Sequence, residues 1–354
     1  MTTVAVVGGG VIGLSIAWRA ARAGHVVTVH DPDPGTGASW VAGGMLAPLS
    51  EGWPGEDHVL SMGAASLDRW PDFASMLRAE TGAEVFTAEA SLTVALDAAD
   101  AADLRTVAEW VQAQGYEMRL TTRAEIRELE PSLGPRVRLG LLAPTELSVD
   151  NRALVDALRR AAAEAGVEFS PAAVHDLADL PDDQVVLAAG AASARLWPGL
   201  PVRPVKGEIL RLRVRPGATP PPHRTIRGSV HGRPAYLVPR RDGLVVGATQ
   251  YEASDKQVTV AGVRDLIADA EAILPALGEY ELLEASAGLR PMTPDNLPLI
   301  GRVSDRVIAA TGHGRNGVLF TPLTVDAVLA ELGGDAIPEV RHACPRRITE
   351  ASMG

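Results

Sequence analysis

The sequence predicts an α/β protein, α+β overall, in which a Rossmann-like dinucleotide-binding domain is interleaved with a domain built on an antiparallel sheet. Three observations predict this fold. A glycine-rich turn joins an apolar run to a helical stretch near residue 10. Residues 204–249 alternate as antiparallel strands do, and apolar runs typical of parallel strands recur at residues 185–190 and 307–310.

The first turn carries a dinucleotide fingerprint. An apolar run at residues 4–7 breaks into the segment GGGVIG. Gly8 makes the strand-to-helix turn, Gly10 lets the backbone approach a pyrophosphate, and Gly13 lets helix and strand pack closely. The N-terminus of the following helix offers unpaired N–H groups and the positive end of a dipole to the phosphates.

The fingerprint continues with a helix over residues 14–23 and a strand over residues 26–30 that ends at Asp31. The Asp31 carboxylate is placed to accept hydrogen bonds from a ribose. A secretory signal is the alternative interpretation of residues 4–23. We disfavour it because no basic residue precedes the apolar run and a signal needs no glycines at these intervals.

The middle of the chain predicts further parallel elements. Asp150 is the predicted N-cap of a helix that Gly166 ends, with Leu154, Val155 and Leu158 on one face. The other elements predicted before residue 200 are a turn-rich loop (32–44), amphipathic stretches (60–77 and 101–114) and strands (90–96, 139–142, 167–169 and 185–190).

From residue 204 the pattern becomes antiparallel. Strands are predicted over residues 208–214, 235–239 and 244–249, and the turn at residues 240–243 joins the last two. The remaining predicted elements are a helix (263–274), the segment 285–290, a strand (307–310) and a helix (323–332).

Composition excludes several classes of protein. The 354 residues are 46% hydrophobic and 22% charged, and they fit two domains. The formal charge of −11 argues against nucleic acid as a partner. The single cysteine, Cys344, fits a reducing cytoplasm and excludes an internal disulfide. We predict no metal, because the eight histidines lack ligand spacing, and no membrane partner, because no segment is long enough to span a bilayer.

Four further segments, together with the fingerprint, resemble the flavin-dependent D-amino-acid oxidase superfamily. Residues 37–46 (GASWVAGGML) resemble its second flavin loop, and the strand ending in Ala189-Gly190 resembles its central segment. Residues 287–295 (AGLRPMTPD) resemble the segment of the substrate arginine, and residues 311–318 (TGHGRNGV) resemble the C-terminal flavin loop. The combination most resembles the glycine oxidases of thiamine biosynthesis.

The resemblance implies an FAD-dependent enzyme that oxidatively deaminates glycine to the imine or glyoxylate, reduces O2 to H2O2 and supplies thiazole synthesis. FAD is expected to be non-covalent, because relatives with a covalent flavin use a cysteine in the C-terminal flavin loop. Small D-amino acids and sarcosine stay open as alternative substrates. The formation of a homo-oligomer also stays open. The implied domains are an FAD-binding domain (1–85, 143–203 and 286–345) and a substrate-binding domain (86–142 and 204–285).

Three side chains are implied to act on the substrate. Arg290 would hold the amino-acid carboxylate in a bidentate pair, Tyr236 would hydrogen-bond it, and Arg315 would lie near it. The alternative roles are an interdomain salt bridge, ordinary packing and a solvated loop arginine, respectively. The residues implied to bind FAD are Gly8, Gly10, Val11, Ile12, Gly13, Asp31, Ala38, Ser39, Gly43, Gly44, Met45, Val174, His313, Gly314, Arg315, Asn316, Gly317, Val318 and Leu319.

Two positions depart from the pattern of glycine oxidases. Residue 314 is glycine where an aromatic ring is usual, and Gln250 stands where an apolar residue is expected to face the substrate. Both leave the strictness for glycine open. The alternative functions are a D-amino-acid or sarcosine oxidase, a quinone-linked D-amino-acid dehydrogenase, and a flavoprotein that is not catalytic.

Overall fold

The computed structural model describes residues 1–351 and contains two β-sheets with helices packed on them. The strands are β1 (Thr3–Val7), β2 (Val26–His30), β3 (Met45–Leu46), β4 (Phe86–Ala95), β5 (Arg119–Thr122), β6 (Leu139–Val149), β7 (Glu168–Ser170), β8 (Gln184–Leu187), β9 (Arg203–Arg213), β10 (Thr225–Val230), β11 (Arg233–Arg240), β12 (Gly243–Gly247), β13 (Glu281–Met292), β14 (Leu299–Arg302) and β15 (Val307–Thr311). The helices are α1 (Val11–Arg22), α2 (Ala38–Val41), α3 (Asp57–Leu67), α4 (Trp70–Thr81), α5 (Ala98–Ala113), α6 (Arg123–Leu129), α7 (Asn151–Glu164), α8 (Ser193–Leu196), α9 (Val260–Ile273), α10 (Thr321–Gly333) and α11 (Arg346–Ala351).

The first sheet has six strands in the order β14-β15-β8-β1-β2-β7, and every pair is parallel except β14–β15. One face packs on α1, α7 and α10, whose apolar residues share a core with Val4 and Val6 of β1. Ala5 and Val7 face a second core on the other side. The sheet is therefore buried on both faces, as the apolar runs predicted.

Helix boundaries follow the local signals. The Asp150 carboxylate accepts hydrogen bonds from the backbone N–H groups of Arg152 and Ala153, which confirms it as the N-cap of α7. The amphipathic stretch at residues 60–77 forms two helices, α3 and α4, rather than one. Pro71 stands in the first turn of α4, where its missing N–H costs no helical hydrogen bond.

The second sheet has nine strands. Eight follow the order β13-β9-β12-β11-β10-β4-β6-β3, and β5 pairs with β6. All pairs are antiparallel except β10 with β4, which are parallel. Leu210, Leu237 and Val246 point to a core on one side that includes α9 residues. The opposite face lies toward residues 37–46, because Val41 and Met45 pack against this sheet.

Arg211, Arg227, Arg240 and Arg290 are among the residues on that opposite face, which we call the arginine face. Cross-strand partners share a face of a sheet. Tyr236 pairs with Arg227 on β10 and with Gly247 on β12. The alternation of β9 and β11 therefore places Leu210 and Leu237 on the helix side, and Arg211 and Arg240 on the side of the first sheet.

The described part of the chain has no helix long and apolar enough to cross a membrane. Within residues 1–351, no group of three or more His, Cys, Asp or Glu side chains is arranged to hold a metal ion.

Candidate active site

The glycine turn lies at the C-terminal ends of β1, β8 and β15. These three strands run parallel, so the segments after Val7, Leu187 and Thr311 emerge at one edge of the sheet. Gly8 has φ +112°, a conformation that favours glycine. Gly13 packs so closely on the Gly8 carbonyl that a Cβ atom there would overlap it. The turn therefore brings the N-terminus of α1 to the edge where ligands of such sheets bind.

Asp31 is held against this turn. One carboxylate oxygen accepts a hydrogen bond from the Gly9 N–H at 2.6 Å, and the other accepts one from the Asp33 N–H at 2.9 Å. Each carboxylate oxygen has a second lone pair, so both can still accept a hydrogen bond from a hydroxyl group. The geometry therefore fits a ribose at the end of β2.

Residues 37–46 are fastened to the same turn. The Ser39 hydroxyl accepts a hydrogen bond from the Val11 N–H at 2.9 Å. The Asn151 side-chain amide, at the start of α7, donates to the carbonyls of Ser39 and Trp40 at 2.8 and 2.9 Å. The structure thus brings Val11 and Ile12 together with the loop of Ala38, Gly43, Gly44 and Met45.

The loop after β15 lies at this edge too. The His313 ring is buried, and its Nε2 lies 3.0 Å from the Thr324 hydroxyl of α10. Burial lowers the pKa of His313 to about 3, so the imidazole is neutral at physiological pH. The ring therefore points into the protein, toward α10. Val174, which follows β7, packs on the second core of the first sheet.

Together these features fit FAD. A turn that only glycines permit, a carboxylate with free lone pairs and a helix N-terminus are the groups that bind a dinucleotide. Of the two loops that resemble flavin loops, residues 37–46 form a hydrogen bond to this turn, and residues 311–318 lie at the same edge of the first sheet. The residues that would hold FAD are therefore those of the turn, Asp31, residues 38–45 and residues 313–319; their individual contacts stay predictions.

Tyr236 is enclosed by two glycines on the arginine face. A Cβ atom on Gly43 would stand 2.8 Å from Cε2 of the Tyr236 ring, and one on Gly247 would overlap the ring. Burial is the main cause that raises the pKa of Tyr236. The phenol is therefore neutral at physiological pH and can donate a hydrogen bond to a carboxylate.

Arg290 lies on β13, opposite Val205 of β9, and its guanidinium stands over Gly207. Its Nη1 donates a hydrogen bond to the Thr249 carbonyl at 3.2 Å. Among the side chains that the structure describes, no carboxylate forms an ion pair with it. The positive charge of Arg290 therefore has no anionic partner in this part of the protein. Gln250, next to Thr249, is exposed.

Two other arginines near Tyr236 and Met292 are already neutralised. Residues 48–56, which we call the strap, contribute one carboxylate to each. Arg227 Nη2 lies 3.3 Å from Glu51 Oε1, and Arg227 Nη1 also contacts the Ser50 carbonyl. Arg315 Nη2 lies 2.7 Å from Glu56 Oε2. The strap therefore joins the nine-stranded sheet to the loop after β15.

Glu146 holds the start of the strap through hydrogen bonds. This glutamate on β6 is fully buried, and its Oε1 accepts hydrogen bonds from the Leu49 and Ser50 N–H groups at 2.7 Å each. Its Oε2 accepts one from the Ser50 hydroxyl at 2.7 Å. Burial raises the pKa of Glu146. Three hydrogen bonds to one carboxylate fix the start of the strap beside Arg227.

Two arginines of the nine-stranded sheet, together with Asn151, support residues 37–46. Arg240 Nη2 donates to the Gly43 carbonyl at 2.8 Å, and Arg211 Nη2 donates to Asn151 Oδ1 at 2.8 Å. Burial lowers the pKa of Arg240 to about 10 and also lowers that of Arg211. Arg240 thus connects β11, the strand of Tyr236, to the loop that carries Gly43.

Sequence patterns predicted Arg290, Tyr236 and Arg315 but not the residues that position them. Glu51, Glu56, Glu146 and Arg227 belong to no motif, and their partners are remote in the chain; Arg315 and Glu56 are 259 residues apart. The one local signal was the pair of glutamates in a turn-rich segment after residue 46, which by itself is typical of a solvated loop.

Known proteins of similar sequence include a bifunctional ThiO/ThiG protein and a glycine oxidase. The bifunctional protein ThiO/ThiG of Synechocystis sp. is 34% identical over 350 residues, which cover 93% of this chain and 51% of that protein. The chain thus spans about half the length of such bifunctional relatives. Glycine oxidase of Geobacillus kaustophilus is 32% identical over 346 residues, covering 91% of this chain and 90% of the relative.

Structural comparison gives the same result. A crystal structure of glycine oxidase from Geobacillus kaustophilus superposes with a TM-score of 0.90 and 29% identity, covering 98% of this chain and 99% of the other. The profile of the DAO family, described as FAD dependent oxidoreductase, matches residues 3–332. The chain therefore belongs to the DAO family of FAD-dependent oxidoreductases.

Proposed function

We propose that this protein oxidatively deaminates glycine with FAD, yielding the imine, which hydrolyses to glyoxylate and ammonia. One observation carries the proposal. Arg290 has no carboxylate partner among the described side chains, whereas Arg227 and Arg315 each have one, and a neutral, partly buried Tyr236 lies on the same face of the sheet. A planar guanidinium with a free positive charge and a phenol donor are suited to an α-carboxylate.

The protein's own groups position the substrate. Arg290 would bind the carboxylate and Tyr236 would donate a second hydrogen bond to it, which orients the α-carbon. When bound, FAD supplies the acceptor for the α-hydride. No side chain of the described site is required as a general base, because an amine that binds without its extra proton needs none. The Thr249 carbonyl accepts a hydrogen bond from Arg290 Nη1, which holds the guanidinium in place.

The names of the relatives support a place in thiamine biosynthesis. Relatives are named glycine oxidase and ThiO/ThiG. We therefore propose that the imine supplies thiazole synthesis, that O2 is the electron acceptor and is reduced to H2O2, and that FAD is bound non-covalently. We also propose a cytoplasmic location and a division into an FAD-binding and a substrate-binding domain. The roles given above to individual site residues are part of the same proposal.

An anaerobic titration of the FAD-loaded protein with glycine, D-alanine and sarcosine tests the proposal, with flavin absorbance as the readout. We expect glycine to bleach the flavin at the lowest concentration, and peroxide to form when air is readmitted. A preference for D-alanine or sarcosine would move the function within the family. Bound flavin that none of the three amines reduces would contradict amino-acid oxidation.

A further inference from the structure

Glu56 of the strap is engaged by two elements of the site. Its Oε2 pairs with Arg315 Nη2 at 2.7 Å, and its Oε1 accepts a hydrogen bond from the Asn296 side-chain amide at 2.8 Å. The side chains of Arg315 and Glu56 are 28% and 21% exposed, so this ion pair is partly accessible to solvent and to a ligand.

This pair lies close to the predicted carboxylate site. Met292 is two residues beyond Arg290 on β13, so the two side chains share a face. A Cβ atom on Gly314 would stand 3.0 Å from the Met292 sulfur, so the backbone of the loop after β15 rests on this side chain. Arg315 follows directly. Arg315 Nη2 lies 3.4 Å from the Glu51 carbonyl, and Glu51 pairs with Arg227, the cross-strand partner of Tyr236. The Arg315 guanidinium, which Glu56 neutralises, is therefore linked to the face that carries Tyr236 and Arg290.

The charges of these groups have a consequence for specificity. A free Arg315 would attract the second carboxylate of a ligand whose first carboxylate lies on Arg290. With Glu56 in place, the second carboxylate meets an arginine that is already paired and another negative charge, which disfavours its binding. Glycine carries one carboxylate and is unaffected.

We propose that Glu56 is a specificity-determining residue that excludes amino acids with a second carboxylate, such as iminodiacetate and D-aspartate. The proposal rests on the function proposed above. Glu56 touches Arg315 and not the reacting atoms, so it acts on the choice of ligand rather than on the chemistry. Arg290, unlike Arg315, has no carboxylate partner among the side chains that the structure describes.

The test compares ligands that cannot be oxidised. Acetate, malonate and succinate are titrated into the FAD-loaded protein, and dissociation constants are taken from the change in the flavin spectrum. Glu56→Gln keeps the shape of the side chain and removes its charge. We expect the affinity for malonate or succinate, relative to acetate, to rise about tenfold, since a hydrogen bond to a charged group is worth that much. Turnover of iminodiacetate relative to glycine should rise in parallel.

Two controls separate Arg315 from a general charge effect. Glu84→Gln removes the partner of Arg78, a residue of α4, in an exposed ion pair and should leave the ratio unchanged. The double variant Glu56→Gln/Arg315→Met has the net charge of the natural protein and should lose the gain. If Glu56→Gln does not fold, Glu56→Asp, which shortens the side chain, should raise the ratio by a smaller factor.

An unchanged ratio in a folded Glu56 variant, or a gain that survives in the double variant, would overturn the proposal. An equal gain for acetate and malonate would overturn it as well. Failure of the proposed function has a different signature: glycine would reduce the flavin of neither the natural protein nor the variants, while the ratio of ligand affinities would still be measured.

Discussion

The guanidinium of Arg290 occupies the space above Gly207, the position where a side chain at residue 207 would stand. The two residues lie on neighbouring strands, β13 and β9, and Gly207 pairs with Gly288. The missing Cβ atom of Gly207 leaves room for the long cationic side chain to lie along the sheet toward Thr249, whereas Gly288 lies against Val41. The position of the predicted carboxylate-binding group depends on this missing Cβ atom.

Gly207→Ala should displace Arg290 without unfolding the protein, because the new methyl group meets the end of a flexible side chain rather than backbone. We expect the dissociation constant for acetate to rise at least about tenfold while FAD stays bound. Flavin spectral titration measures both. Gly333→Ala, at the end of α10, is a matched control, since a Cβ atom there meets nothing within 4 Å. Equal effects of the two variants would argue against the contact.

Arg290→Ala should give a folded, yellow protein with weak substrate binding. Loss of a charge-paired contact at a binding site costs several kcal/mol, so we expect KM for glycine to rise at least about a hundredfold. Arg290→Lys should recover only part of the loss, because an ammonium group does not form the bidentate pair. Steady-state kinetics with flavin content as the control checks this. Turnover equal to that of the natural protein would refute the assignment of Arg290.

Asp31→Asn should weaken FAD binding. The substitution keeps the size of the side chain but removes the charge that accepts the Gly9 N–H at 2.6 Å and, in our assignment, a ribose hydroxyl. We expect the dissociation constant of FAD to rise about tenfold, measured by flavin fluorescence during titration of the apoprotein. Asp33→Asn, on the same loop, should bind FAD like the natural protein. Similar losses in both variants would point to the loop rather than to Asp31.

The neutral His313 ring predicts acid sensitivity. Burial lowers its pKa to about 3 from the ordinary value of 6.5. Because the folded pKa lies below the unfolded one, the stabilisation is complete above pH 6.5 and is lost as the pH falls toward 3. Between pH 7 and about 4.5 this residue should therefore cost the folded state roughly 3 kcal/mol.

His313→Gln removes this titration and keeps a group that can bond Thr324. Its free energy of unfolding, from urea titrations at fixed FAD concentration, should fall less between pH 7 and about 4.5 than that of the natural protein. His223→Gln, at an exposed position, should follow the natural protein. A slope for His313→Gln that matches the natural protein would show that another group causes the acid sensitivity.

The sequence predicted the parts of the fold whose causes are local. The β1–α1–β2 unit and the N-cap of α7 follow from glycines, a terminal acid and a capping aspartate within a few residues. Strand β10 was missed because TIRGSV has too few apolar residues to alternate and contains Gly228. The structure pairs it with β11 in an antiparallel hairpin and with β4, more than 100 residues earlier, in a parallel pair.

The same distinction applies to the site. Arg290, Tyr236 and the glycine loops stand in motifs, so the resemblance placed them. The partners of Arg227 and Arg315 could not be predicted, because an ion pair between residues far apart in the chain leaves no pattern in either segment. The contrast between a neutralised Arg315 and an unpaired Arg290, on which the specificity proposal rests, exists only in three dimensions.

The alternation of β11 has a consequence for folding fidelity. A slip of one residue in its pairing would turn Tyr236 and Arg240 into the helix-side core and push Leu237 toward the loops. A buried guanidinium without a partner is among the most costly errors a chain can make. Tyr236, which is proposed to recognise substrate, and Arg240, which supports the loop of Gly43, therefore also favour the correct register of β11.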